Sequence, residues 1–146
     1  MLGEFIREPR VAYFSMEIAL RSDIPTYAGG LGILAGDTLR SAADLSLPLV
    51  GVSLVSRAGY FKQTIDADGR QVEHPAHWNP MDVAQRLDAK IAVRIEERAV
   101  WIGAWLYVLE SHLGGRAPVI LLDTDLEENR PDDREITHYL DRKSVV

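Results

Sequence analysis

A chain of 146 residues with a net charge of −6 and no cysteine is about one domain long, forms no disulfide or thiolate metal site, and repels anionic partners. The first ten residues carry charges throughout, and no apolar run reaches the ~18 residues of a membrane helix. A soluble, cytoplasmic protein is expected, with no nucleic-acid and no membrane partner.

Pro9 breaks the opening segment, and residues 11–16 (Val-Ala-Tyr-Phe-Ser-Met) follow as an unbroken apolar run. Such a run predicts a strand buried on both faces, as in parallel sheets. Residues 21–26 are polar and read as loop, leading to Tyr27-Ala28-Gly29-Gly30-Leu31-Gly32. From Leu31 the period becomes helical. Leu31, Leu34, Ala35, Thr38, Leu39, Ala42 and Leu45 recur at three- and four-residue spacing, which predicts the buried stripe of a helix stopped at Pro48. Residues 49–55 form a second apolar run. Strand, glycine turn, helix and strand make a βαβ-type unit with parallel strands.

Residues 60–65 and 70–73 flank Asp66-Ala67-Asp68-Gly69 and predict a hairpin. Ile91, Val93 and Ile95 alternate with polar neighbours in a half-exposed strand that residues 100–110 can pair with. Residues 118–123 read as a buried strand ending in an acid, and residues 127–146 are polar and weakly helical. The fold class expected is α/β with a β-rich hairpin insertion.

Few residues stand out as chemistry. Three glycines in four positions at a helix start let a backbone approach an anion, whose charge the helix dipole favours. The same turn reads equally well as a tight packing turn, and it matches neither a dinucleotide fingerprint nor a P-loop. Glu17 lies just past the first strand, where open α/β sheets place ligands; it reads equally as a loop organiser. Asp37 reads as a surface charge. Asp123, Asp125, Glu127 and Glu128 read as a solvated acidic loop rather than a metal site. Asp66-x-Asp68-Gly69 lacks the closing glutamate of a calcium loop, and His74 and His77 occupy a Pro-flanked loop. No metal is expected. Lys62, Lys90 and Lys143 are the only lysines, and none has the setting a Schiff base needs. Trp78, Trp101 and Trp105 read as core or hairpin packing.

Taken together, residues 11–17, 25–37, 38–45, 48–53, 59–63, 121–125 with Glu128-Asn129, and Asp133-Arg134 with Thr137 resemble the opening of bacterial and archaeal α-glucan (glycogen/maltodextrin) phosphorylases, colinearly over about residues 11–140. The resemblance implies a partial Rossmann-like N-terminal domain of a two-domain glycosyltransferase of the GT-B type. It implies an enzyme that uses orthophosphate to release α-glucose 1-phosphate from α-1,4-glucan, with pyridoxal phosphate as cofactor. In this family the turn at Gly29, Gly30, Leu31 and Gly32 presents amides to the phosphate side of the cleft, and Glu17 matches a cleft glutamate. Two departures matter. Ser46 stands where the family commonly has glycine, and after Leu140 the sequence Asp-Arg-Lys-Ser-Val-Val leaves the family pattern. Residues 1–146 are therefore expected to be an incomplete N-terminal domain, without catalytic residues or the cofactor lysine, and inactive alone. Two alternatives are a nucleotide-sugar-dependent glycogen or starch synthase and a stand-alone glucan-binding module. Synthases usually carry a lysine two residues before the paired glycines, where Tyr27 and Ala28 stand here.

Overall fold

The computed structural model describes residues 11–59 and 61–140, together with Gly3 and Phe5. Pro9, Tyr60, Lys143 and the divergent residues 141–146 lie outside the described residues.

The first strand, β1 (Val11–Phe14), pairs in parallel with β2 (Leu49–Leu54), Val11 opposite Leu49 and Phe14 opposite Val52. The helix between them, α1 (Gly30–Asp44), makes this the expected strand–helix–strand unit. Two short strands, β3 (Lys62–Ile65) and β4 (Gln71–His74), form a separate hairpin. Its turn is closed by Asp66, whose Oδ1 accepts the Asp68 and Arg70 amides, with Gly69 at a φ of 78°. After a single turn at Pro80–Asp82 come β5 (Gln85–Ile95), β6 (Arg98–Glu110) and β7 (Arg116–Asp123). Both β5 and β7 run antiparallel to β6, and β7 runs parallel to β2, giving one mixed sheet in the order β1-β2-β7-β6-β5. A last helical turn, α2, covers Pro131–Arg134. No described helix is long and apolar enough to cross a membrane.

The core lies between α1 and one face of the sheet, where Leu39, Val119, Leu121 and Trp105 meet Ile18 and Ile24 from the loop after β1. The predicted helical stripe is corrected by half. Ala35, Leu39 and Ala42 are buried, but Leu31, Leu34 and Leu45 are exposed, and Gly32, Gly36 and Ala43 are buried instead. Small residues let the helix backbone approach its neighbours closely. A Cβ on Gly36 would overlap the Ala19 carbonyl, and Leu39 packs directly on Gly51. Leucine spacing alone cannot reveal a face chosen for closeness.

The prediction that β1 is buried on both faces is also corrected. β1 is an edge strand, with Val11 64% and Phe14 74% exposed. An unbroken apolar run implies cover on both sides, whereas α1 packs on one face only. Phe14, Met16, Val52, Leu54 and Leu122 line an apolar hollow of about 260 Å³; of these, Phe14, Val52, Leu54 and Leu122 alternate with the helix-facing strand residues and so lie on the face away from α1.

Candidate functional site

Several elements converge on the start of α1. After β1 the chain turns through residues 17–29 and is tied back on itself. The Ile18 amide donates to the Thr26 carbonyl at 3.1 Å, the Thr26 hydroxyl donates to the Ile18 carbonyl at 2.7 Å, and the Ala19 amide donates to the Gly32 carbonyl at 2.9 Å. Glu17 Oε2 accepts the Ala28 amide at 3.0 Å. Its carboxylate thus holds the segment entering the glycine turn, which is the loop-organising role.

The glycines of the turn are not equivalent. A Cβ on Gly32 would overlap Tyr27 Cβ and come 3.3 Å from Glu17, so this glycine is demanded by packing. Around Gly29 and Gly30 a Cβ would meet nothing within 4 Å. Gly29 is extended, with φ −154°, and Gly30 has no positive φ, so backbone geometry does not demand glycine at either position. Gly29 caps α1 without a side chain, and the amides of Gly30, Leu31 and Gly32 find no acceptor among the described residues. Three unpaired donors at the positive end of a 15-residue helix, with open space around Gly29 and Gly30, can hold an anion or a polar oxygen.

Other sequence candidates resolve into structure. Asp37 is exposed beside Arg40 at 3.5 Å. Asp123 is buried, its Oδ2 accepting from Arg57 at 2.6 Å and from the Trp105 indole at 2.8 Å. Asp125 pairs with Arg134 and Glu128 with Lys90, whose ammonium holds the Glu128 carboxyl below its ordinary range. Among the described residues no group of three or more acidic or histidine side chains is placed to hold a metal ion. His74 shares a hydrogen bond with Thr64, and His77 is exposed. Trp105 is core, with the guanidinium groups of Arg57 and Arg86 at 5.9 and 5.2 Å from its ring centroid; Trp78 donates to the Ser56 carbonyl, and Trp101 is 39% exposed on β6.

Pyridoxal phosphate does not fit the lysines on view. Lys62 is exposed on β3, and Lys90 is held by Glu128, so neither has the apolar shelter a Schiff base needs. Sequence reasoning missed Arg57, whose pairing with Asp123 across 66 residues has no local signal. It also missed the ion pair of Arg98 with Asp133, 35 residues apart.

With this geometry in place, comparison with known proteins defines the class. The family model described as carbohydrate phosphorylase matches residues 19–101, which span the glycine turn, α1, β2 and the hairpin. The chain belongs to the carbohydrate phosphorylase family. It is 43% identical over 140 residues to a maltodextrin phosphorylase of Thermococcus litoralis, covering 91% of this chain and 16% of that protein. It is 42% identical over 137 residues to a glycogen phosphorylase of Mycobacterium tuberculosis, covering 89% of this chain and 15% of that protein. A glycogen phosphorylase of Aquifex aeolicus is 38% identical over 137 residues, covering 89% of this chain and 19% of that protein.

Proposed function

We infer that this chain contributes the glycine-turn portion of an α-glucan phosphorylase, an enzyme that cleaves α-1,4-glucan with orthophosphate to give α-glucose 1-phosphate. On this reading the mixed sheet and α1 belong to a Rossmann-like N-terminal domain of the GT-B type. The first-turn amides of α1 hold the phosphate side of the substrate site, and Glu17 sets the turn that aims them. One observation carries the reading: Gly30, at the first helical position, stands in open space with no positive φ, so neither packing nor backbone geometry gives a reason for glycine there. A ligand approaching the backbone gives one.

No cofactor step is assigned to residues of this chain. The isolated chain is expected to release no glucose 1-phosphate and to form no borohydride-reducible adduct with pyridoxal phosphate.

The test is a chimera in which this chain replaces the matching stretch of the Thermococcus litoralis maltodextrin phosphorylase. Glucose 1-phosphate release from maltodextrin is expected. Gly30→Val within it is expected to cut turnover about 10²–10³-fold, because the branched side chain fills the open space and holds the phosphate off the first-turn amides, an effect the size of losing a preorganised donor, with the melting temperature nearly unchanged. A folded Gly30→Val chimera with normal turnover would assign the turn to helix packing and overturn the reading.

A further inference from the structure

We propose that β1, the open edge of the sheet, is a self-association site. It takes β1 of a second copy of this chain in antiparallel register, joining two sheets across a two-fold axis at Tyr13. The Val11 amide donates to the Pro48 carbonyl at 2.8 Å and the Ser15 amide to the Val52 carbonyl at 3.0 Å, so Val11, Tyr13 and Ser15 turn their backbone groups toward β2. By alternation the N–H and C=O groups of Ala12 and Phe14 point the other way, off the edge of the sheet, and find no partner among the described residues.

These free groups are self-complementary. In an antiparallel pair, residues whose backbone groups face each other exchange both hydrogen bonds. Centring the pair on Tyr13 sets Ala12 opposite the partner's Phe14 and Phe14 opposite the partner's Ala12, so every outward group of the strand is used. Centring it on Ala12 or Phe14 would need residues beyond the ends of β1. The side chains agree with this register. Ala12 and Phe14 lie on the face away from α1, where Phe14, Met16, Val52, Leu54 and Leu122 line the hollow of about 260 Å³. In this pairing the two copies of Phe14 are diagonal neighbours about 7–8 Å apart, within reach of aromatic rings, and the two hollows join into one apolar strip.

Charge decides which strand comes to this edge. β1 carries no charged residue, so two copies meet there without like-charge repulsion. β5, the other edge, carries Arg86, Asp88, Lys90 and Arg94, and its pairing with β6 shifts register between Leu87 and Ile91. A contact of β1 with β5 would set an apolar strand against charges and would repeat into a filament. A contact of β1 with β1 closes on itself as a dimer. The same symmetric contact also covers both open features, the backbone edge and the apolar side chains beside it.

The test is amide hydrogen exchange on the 146-residue chain at high and low concentration, with sedimentation equilibrium on the same samples. A monomer–dimer equilibrium is expected, and the Ala12 and Phe14 amides are expected to gain protection only where the dimer forms. The Tyr13 amide, turned toward β2, is expected to be equally protected in both samples. Ala12→Pro removes one outward donor from each chain and leaves the bonds to β2 in place, and an edge strand tolerates proline where its N–H would face solvent. It is expected to weaken the dimer about tenfold while the circular dichroism spectrum stays the same. Should Ala12→Pro fail to fold, the exchange pattern of the unaltered chain decides alone. A chain that stays monomeric at both concentrations, that grows past a dimer, or whose Ala12 and Phe14 amides exchange alike in both samples overturns the proposal. A folded Ala12→Pro chain that dimerises as tightly as before does so too. None of these outcomes touches the function reading, which the chimera tests separately.

Discussion

Ser46 adopts a φ of 51° just past α1, a conformation that L-residues other than asparagine and aspartate seldom enter. It does so because the helix end requires it. The Ser46 amide donates to the Ala43 carbonyl at 3.0 Å and the Leu47 amide to the Ala42 carbonyl at 2.8 Å, the paired bonds of a Schellman cap. The cap thus survives with serine where the resembled family commonly has glycine, at a cost of about 1 kcal/mol. Ser46→Gly is expected to raise unfolding free energy by about 1 kcal/mol, read as a higher urea midpoint with an unchanged slope. A midpoint that stays or falls would show that the serine is not strained. Next to it, a Cβ on Gly115 would overlap the Ala43 carbonyl, so the turn between β6 and β7 rests directly on this helix end.

At the scale of elements, a polar tether holds α2 and its approach to the sheet. Asn129 imitates a neighbouring strand: its Oδ1 accepts the Trp101 amide at 2.8 Å, and its Nδ2 donates to the Trp101 and Thr124 carbonyls at 2.7 Å. Arg98, at the start of β6, grips buried Asp133 with contacts of 2.6 and 2.9 Å. Hydrogen bonding to Arg98 holds the Asp133 carboxyl below its ordinary range and raises the Arg98 guanidinium. A carboxyl whose folded pKa is depressed stabilises the fold fully above its unfolded pKa and loses that contribution as pH falls through the folded one. Stability is therefore expected to fall below about pH 4, and Asp133→Asn, less stable at neutral pH, is expected to show a flatter acid limb. Urea unfolding between pH 2 and 7 measures this; parallel curves for the two proteins would remove Asp133 from the account. Elements were legible in the sequence to different degrees. The hairpin of β3 and β4 was plain because Asp-Ala-Asp-Gly is turn chemistry. The turn joining β5 to β6 was hidden, since Glu96 and Glu97 take positive φ values of 44° and 66° that Asn-Gly would have announced.

The whole molecule is sheltered unevenly. β5 is an edge protected by charge, with Arg86, Asp88, Lys90 and Arg94 along it. β1, the opposite edge, has no charge between Val11 and Phe14, and Phe14 and Met16 are 74% and 71% exposed next to it. Such an edge invites association through both its backbone and its apolar side chains. The chain is expected to self-associate at micromolar concentration, and Phe14→Lys with Met16→Lys to return it toward a monomer. Light scattering on both proteins decides; a monodisperse wild-type monomer would show that the edge is harmless.

Local chemistry, read along the chain, determined the βαβ unit, the glycine turn at the helix start, the hairpin arm, the antiparallel ribbon and membership of a phosphorylase-like family. Each depends on residues close together or on motifs in fixed order. Tertiary structure alone decided which face of α1 is buried, that β1 is an edge, that Asp123 and Asp133 pair with distant arginines, and that Gly32 is demanded by packing while Gly29 and Gly30 are not. The physical reason is common to all four. Burial, close approach and ion pairing depend on what lies across a gap in space, and sequence spacing reports only what lies along the chain.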